Sequence, residues 1–365
     1  MSTTAEPRAG LDRVATWLAT ASPWHVLAVV ALVRAVTVGV WTTPNVHQWV
    51  LFASDPLGTP PIDPAAAFIT GSPTGPLVAN AVGADTTLTY ALVHLAALGL
   101  AVSLVVVMGR RWLGDRTTNL LVVLLFASSL SAVLVTWLGQ PDPFVLLGLS
   151  AIAMASAAPP PIRLPLALAG GALAGFTSFE QCFGAVAVLA VASWGHDRPG
   201  DRATVLGAVV GLLVGRLALA GFHAASDVAT LSRADWARAH GAELFLERYL
   251  TNLPAYAFSI LGAGWLLVGD AGRRLAPLGR GPAPFVAAGA MVLGVGVIAL
   301  DQTRVASLVA WPTAIWLVRR AEADDPGGAR PRLAAAVLVA AAIIPPVVIW
   351  EGRPVISAWA EIFGW

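Results

Sequence analysis

The chain has 365 residues, of which 57% are hydrophobic and only 12% charged, with a formal net charge of +1. Soluble domains carry about 25% charged residues, so this composition excludes an ordinary soluble domain and points to a polytopic membrane protein. The near-neutral balance excludes a nucleic-acid footprint, and the single cysteine, Cys182, excludes an intrachain disulfide or a cysteine-based metal cluster. All 22 basic residues are arginine. With the Ala, Gly and Pro load, that fits a GC-rich bacterial coding sequence and a multi-pass plasma-membrane protein.

Residues 1–20 are polar, and no small-residue cleavage site follows the first apolar run, which therefore reads as a retained span. Apolar runs fall at 24–42, 87–108, 120–137, 143–158, 164–177, 181–194, 205–222, 252–269, 283–300, 304–318 and 333–350. They predict an all-α transmembrane bundle of about eleven spans, occupying residues 1–365 as one domain. The fifth and sixth runs are short and interrupted by Gly170-Gly171, Gly175 and Glu180, and read as two half-length helices meeting at Thr177–Gln181. With the N-terminus inside and the C-terminus outside, 15 of the 22 arginines fall on the cytoplasmic side, as the positive-inside rule requires.

That topology leaves two long outer loops. The first, residues 43–86, is rich in proline and includes a candidate short surface helix at Pro64–Thr70. The second, residues 223–251, contains Ser232 three residues before Asp235, a capping-box pattern opening an amphipathic interfacial helix. The inner acids, Asp201, Asp270, Glu322 and Asp324 among them, read as solvated surface beside arginines. Arg34 and Arg216 fall inside spans, where pairing within the bundle is the expected role. His47, His94 and His223 lack ligand spacing.

The outer acids stand at ends of spans. Asp142 follows the third run, in Gly139-Gln140-Pro141-Asp142-Pro143, where it either caps the helix opening at Pro143 or belongs to a site. Glu180 and Gln181 lie at the break. Asp301 and Arg304 open the tenth run, and a guanidinium there suits a phosphate. Asp55 and Asp63 lie in the first outer loop. A shared acidic face at membrane level would join Asp55, Asp142, Glu180 and Asp301 with Arg304.

The order of span, long loop with an early Asp, two spans, then Gly139-Gln140-x-Asp142 resembles the GT-C glycosyltransferases, especially the polyprenyl-phosphate-sugar mannosyl- and arabinosyltransferase-like branch. The stretch from Phe68 to Leu77, with Gly71-Ser72-Pro73, is similar to that family's first-loop motif, Phe68 replacing a Tyr. The resemblance covers about residues 24–195 and, more loosely, Asp301–Arg304. It implies a lipid-linked sugar donor, a cell-envelope glycan, lipid or protein as acceptor, and an active site on the outer face. The base would be Asp55, or second Asp63; Asp142 would orient acceptor or metal, and Arg304 would hold the lipid phosphate. Gln140, Glu180, Gln181 and Asp301 are the remaining candidate substrate contacts. No cofactor is required by the sequence, although a divalent Mg or Mn is compatible with it. The competing readings are a transporter or flippase for an amphipathic or anionic solute, supported by the broken pair near Glu180, and a membrane assembly partner without chemistry.

Overall fold

The computed structural model describes residues 6–194, 198–228, 249–297, 299, 301–324, 330–350 and 353–355. The second outer loop's amphipathic helix falls almost wholly outside them. Among the described residues the chain is all-α apart from one antiparallel strand pair, β1 (Val348–Trp350) and β2 (Arg353–Val355). In order the helices are α1 (Glu6–Thr20), α2 (Pro23–Val38), α3 (Val46–Ser54), α4 (Thr74–Ala81), α5 (Thr87–Trp112), α6 (Asp115–Ala127), α7 (Leu130–Thr136), α8 (Asp142–Ala155) and α9 (Pro160–Trp194). They continue as α10 (Pro199–Ala225), α11 (Leu253–Leu261), α12 (Trp265–Leu275), α13 (Ala283–Val295), α14 (Gln302–Asp324) and α15 (Pro331–Ile343).

Every apolar run carries a helix, but most are shorter than a full span. Four segments are long and apolar enough to cross a membrane, namely α5, α9, α10 and Leu253–Leu278, and α6 with α7 makes a fifth if that pair, bent by 63°, counts as one. Among the described residues, eleven full-length spans are therefore not supported. The runs at 24–42, 143–158, 283–300 and 333–350 yield helices of 16, 14, 13 and 13 residues. At 1.5 Å per residue these reach about 20–24 Å, less than the ~30 Å of a hydrocarbon core.

Helix α9 is not straight. Ser178 has φ −160° and ψ 83°, outside the helical region, and the chain folds back there. The proof is at its two ends: Arg163 Nη1 lies 2.5 Å from where a Cβ on Gly200 would stand. A straight helix would carry Trp194 about 46 Å from Arg163, and the few residues to Gly200 span under about 22 Å even fully extended. The halves thus run antiparallel, and the first lies beside α10 with both advancing together. Gly207 meets Leu164 and Ala167, Gly211 meets Leu168 and Ala172, and Gly215 meets Ala172 and Phe176. Gly170, Gly171 and Gly175, expected as interruptions, instead lie on this small-residue seam and against Gly148 of α8; such residues let helix backbones approach in a membrane.

This antiparallel order gives the bundle two charged ends. On α14, Arg304 lies in the first turn and Arg319 near the last, and Val305–Val318 between them holds no ionisable residue. The separation is about 23 Å along the helix. Arg34 sits inside, 5% exposed, where α6 meets α7. Its guanidinium donates to Ser131 Oγ at 3.0 Å and to the Phe126 carbonyl freed by the bend, and lies 4.5 Å over the Phe126 ring. That is a structural use of a buried cation.

The first loop is folded. A 3₁₀ helix at Pro64–Gly71, α3 and α4 bury Trp49, Phe52, Ile69 and Ala79 together with Tyr90 in a small second core. Leu57 O accepts from Asp227 N, and Thr70 O contacts His223 Nε2 at 3.1 Å, seating this loop against the end of α10.

Candidate functional site

Gly139 adopts φ +104°, a conformation open to glycine and costly for side chains. That turn lets Leu138 pair with the segment after α2: Leu138 N donates to Trp41 O at 3.0 Å and Thr43 N to Leu138 O at 2.9 Å. A Cβ on Gly139 would also press on Val46 and Thr43. The next residue, Gln140, is 7% exposed and donates from Nε2 to Thr43 Oγ1 at 3.0 Å. Its Oε1 accepts from Arg304 Nη1 at 3.1 Å.

Asp142 is 2% exposed. It is the first residue of α8, with Pro141 at the cap position. Its carboxylate takes Arg304 Nη1 at 3.1 and 3.3 Å. Arg304 Nη2 reaches Asp301 at 2.5 Å. The loop before α14 is held by Thr303, whose hydroxyl meets Ser259 at 2.5 Å and accepts from Ile349 N of β1 at 2.8 Å. Two carboxylates therefore flank one guanidinium in a nearly dry setting, a net charge of −1. The Arg304 Nε–H has no hydrogen-bond partner.

The structure thus brings Gln140, Asp142, Asp301 and Arg304 into one cluster. The other candidates do not touch it. Asp55 is exposed at the far end of α3, and its Oδ1 accepts from Gly58 N at 3.0 Å. The nine residues of α3 separate it from the Val46–Gly139 contact by about 13 Å of helix. Asp63 is exposed, its N–H donating to Gln48 Oε1 at 2.8 Å. Gln181 Oε1 accepts from Ser178 Oγ at 3.3 Å. Glu180 pairs with Arg216 at 3.8 Å, both about half exposed. An exposed pair of that length contributes at most about 1 kcal/mol. Glu180→Gln should accordingly leave thermal unfolding in detergent within about 1 °C of wild type, and a drop of several degrees would show that the pair anchors the fold-back at Ser178.

Sequence reasoning passed over Tyr90 and set His94 aside for lack of ligand spacing. They are one helical turn apart on α5, both fully buried, with ring centroids 4.4 Å apart. His94 Nδ1 contacts Tyr90 O at 3.0 Å, while His94 Nε2 and the Tyr90 hydroxyl have no partner. Gly75 closes over them, since a Cβ there would lie 2.6 Å from His94 Nε2. The Tyr90 ring also borders Gly139, and the His94 ring meets Phe144 edge-on at 5.4 Å. The buried Ser72 hydroxyl and Trp49 indole N–H likewise lack partners. The available signal was a Tyr and a His at i, i+4 inside an apolar run, since polar groups at that depth need a reason.

The acids at the opposite end are not solvated surface. Asp201, Asp270 and Glu322 are each under 10% exposed; Arg274 pairs with Glu322 at 2.7 Å and with Asp270 at 3.1 Å. Arginine stems and helix ends exclude water from them. Between the ends, α9, α12, α13 and α14 enclose an apolar recess of about 330 Å³, lined in part by Trp265, Phe285, Val292 and Thr313. Among the described residues no three His, Cys, Asp or Glu side chains group to hold a metal ion. Arg304 occupies the gap between Asp142 and Asp301.

The chain matches no protein-family model, no curated protein sequence and no solved structure. What the fold defines on its own is a helical membrane protein with four to five membrane-spanning candidates.

Proposed function

We propose that this protein is a bacterial plasma-membrane glycosyltransferase of GT-C type, with its site at the Arg304 end and that end facing outward. The observation that carries this reading is the convergence of Gly139-Gln140-x-Asp142 with Asp301 and Arg304. Two motifs 160 residues apart in sequence meet at one membrane-level cluster beside the folded first loop. The arginine-rich opposite end supports the orientation, because cytoplasmic segments collect arginine.

In this reading the donor is a sugar on a polyprenyl phosphate, and the acceptor is a cell-envelope glycan, lipid or protein. Asp55 takes the proton from the acceptor hydroxyl, whose oxygen attacks the anomeric carbon. The bond from that carbon to the phosphate oxygen breaks, and the polyprenyl phosphate leaves with the electron pair. Arg304, through its free Nε–H, and the dry surroundings of the cluster stabilise the departing phosphate. Ser72, Tyr90 and His94 offer unpartnered hydrogen-bonding groups of the kind that recognise sugar hydroxyls. The apolar recess along α14 supports a lipid-linked donor, since a prenyl chain needs such a wall.

The test is sugar transfer from a panel of polyprenyl-phosphate sugars in proteoliposomes. Asp55→Asn should lower turnover by about 10²–10⁴-fold, as expected for loss of a general base. Its fold should survive, because Asp55 is exposed and Asn can still accept from Gly58. Undiminished transfer by this variant removes the base assignment; no transfer by wild type with any donor removes the glycosyltransferase reading.

A further inference from the structure

The end opposite Arg304 holds four arginines that the transfer reading does not use. Arg163, Arg198, Arg319 and Arg320 come together there with Asp201 and Asp324, while Asp270 and Glu322 at the same end are engaged by Arg274. Asp324 is shared by Arg198 and Arg320, each at 3.1 Å. Arg163 donates to the Ala158 carbonyl at 2.9 Å and lies against Gly200, at the positive end of the α10 dipole. Arg319 is 7% exposed and pairs with Asp201 at a loose 3.6 Å, with Asp324 the second acid acting on it. Arg163 and Arg198 both lie near enough to repel it.

Arg319 Nε and Nη2, Arg163 Nε and Asp201 Oδ2 are all buried and all without a hydrogen-bond partner. A buried charge left uncompensated, like a buried donor left unmade, is costly. The three N–H donors call for an anion. The carboxylate oxygen calls for something different: a group on that anion that itself donates a hydrogen bond.

We propose that Arg319, Arg163 and Asp201 form a binding site for a phosphate group that carries a proton, either inorganic hydrogen phosphate or a phosphomonoester. The arginines donate to its unprotonated oxygens and its P–OH donates to Asp201. Sulfate has no proton to give at neutral pH, and neither has a phosphodiester, so the same geometry that attracts anions selects among them. Basic pockets between helices at one membrane face are a recognised setting for lipid phosphates, so the ligand's source is either the aqueous phase or a lipid headgroup. The site is separate from the sugar-transfer reading and does not depend on it.

The experiment uses the full chain purified in detergent, at about pH 6.5, close to the second ionisation of a phosphomonoester. Inorganic phosphate and sulfate are titrated at matched ionic strength by calorimetry and thermal unfolding. Phosphate should bind and raise the unfolding temperature, and sulfate should do neither. Arg319→Gln should weaken phosphate binding at least tenfold; should that variant not fold, Arg163→Gln, half-exposed and on the same ligand, replaces it with the same expectation. Asp201→Asn should admit sulfate, since an amide can donate where the carboxylate cannot. In lipid nanodiscs, phosphatidate retained in preference to phosphatidylglycerol identifies the headgroup as source, and binding of inorganic phosphate alone identifies the soluble ion. Equal response to phosphate and sulfate, no binding of either phosphate or phosphatidate, or an unchanged preference in Asp201→Asn each overturns the proposal.

Discussion

Arg304→Ala is expected to destabilise the protein by about 3–5 kcal/mol, the usual result of removing one partner from a buried ion pair. The loss has little to do with the attraction forgone. Asp142 and Asp301 would face each other across a dry gap, with side chains 3% and 14% exposed, and Gln140 would lose its Arg304 contact. Thermal unfolding in detergent should fall by many degrees. Asp142→Asn should cost less than Arg304→Ala, because Arg304 keeps Asp301 and the amide can still accept. A combined replacement of Asp142, Asp301 and Arg304 by apolar residues of similar volume should be near neutral for stability. That variant separates the two uses of the cluster. If it folds and transfers sugar, the cluster is structural and the transfer reading loses its centre.

How much of this was legible in the sequence differs by feature. The cluster's members were readable because each is an ionisable or amide residue at the edge of an apolar run, where burial is expensive. Their joining was not, because Gln140 and Arg304 are far apart in sequence and meet only through the turn at Gly139 and the packing of α8 against α14. Glycines at 170, 171 and 175 misled for a physical reason: glycine weakens an isolated helix, yet at a helix crossing in a membrane its missing side chain is what lets two backbones touch. The fold-back at Ser178 was legible, since arginine placement demanded a reversal between Arg163 and Arg198. The buried acids at the other end were missed because charged residues near a chain turn resemble solvated surface until tertiary contacts show their water removed.

The second large effect belongs to that glycine seam. A Cβ on Gly211 would run into the Leu168 carbonyl oxygen and lie 2.9 Å from both Ala172 N and Gly171 Cα. These are backbone atoms, so no rotamer change relieves the clash and α9 and α10 must separate. Gly211→Leu should therefore exceed the ~1–3 kcal/mol of ordinary overpacking, because adding a whole side chain forfeits contact along the seam from Gly207 to Gly215. Gly221→Leu, on the same helix with nothing within 4 Å of its added Cβ, is the matched control and should stay within about 0.5 kcal/mol of wild type. Because α10 carries Asp201 at one end and His223 against Thr70 at the other, its displacement should weaken both charged ends at once. Gly211→Leu should then lose phosphate binding at Arg319 and loosen the first loop, read as faster amide exchange at Ile69–Thr70. Equal unfolding temperatures for the Gly211 and Gly221 variants would mean that the seam yields without cost, and that the two ends are not coupled through it.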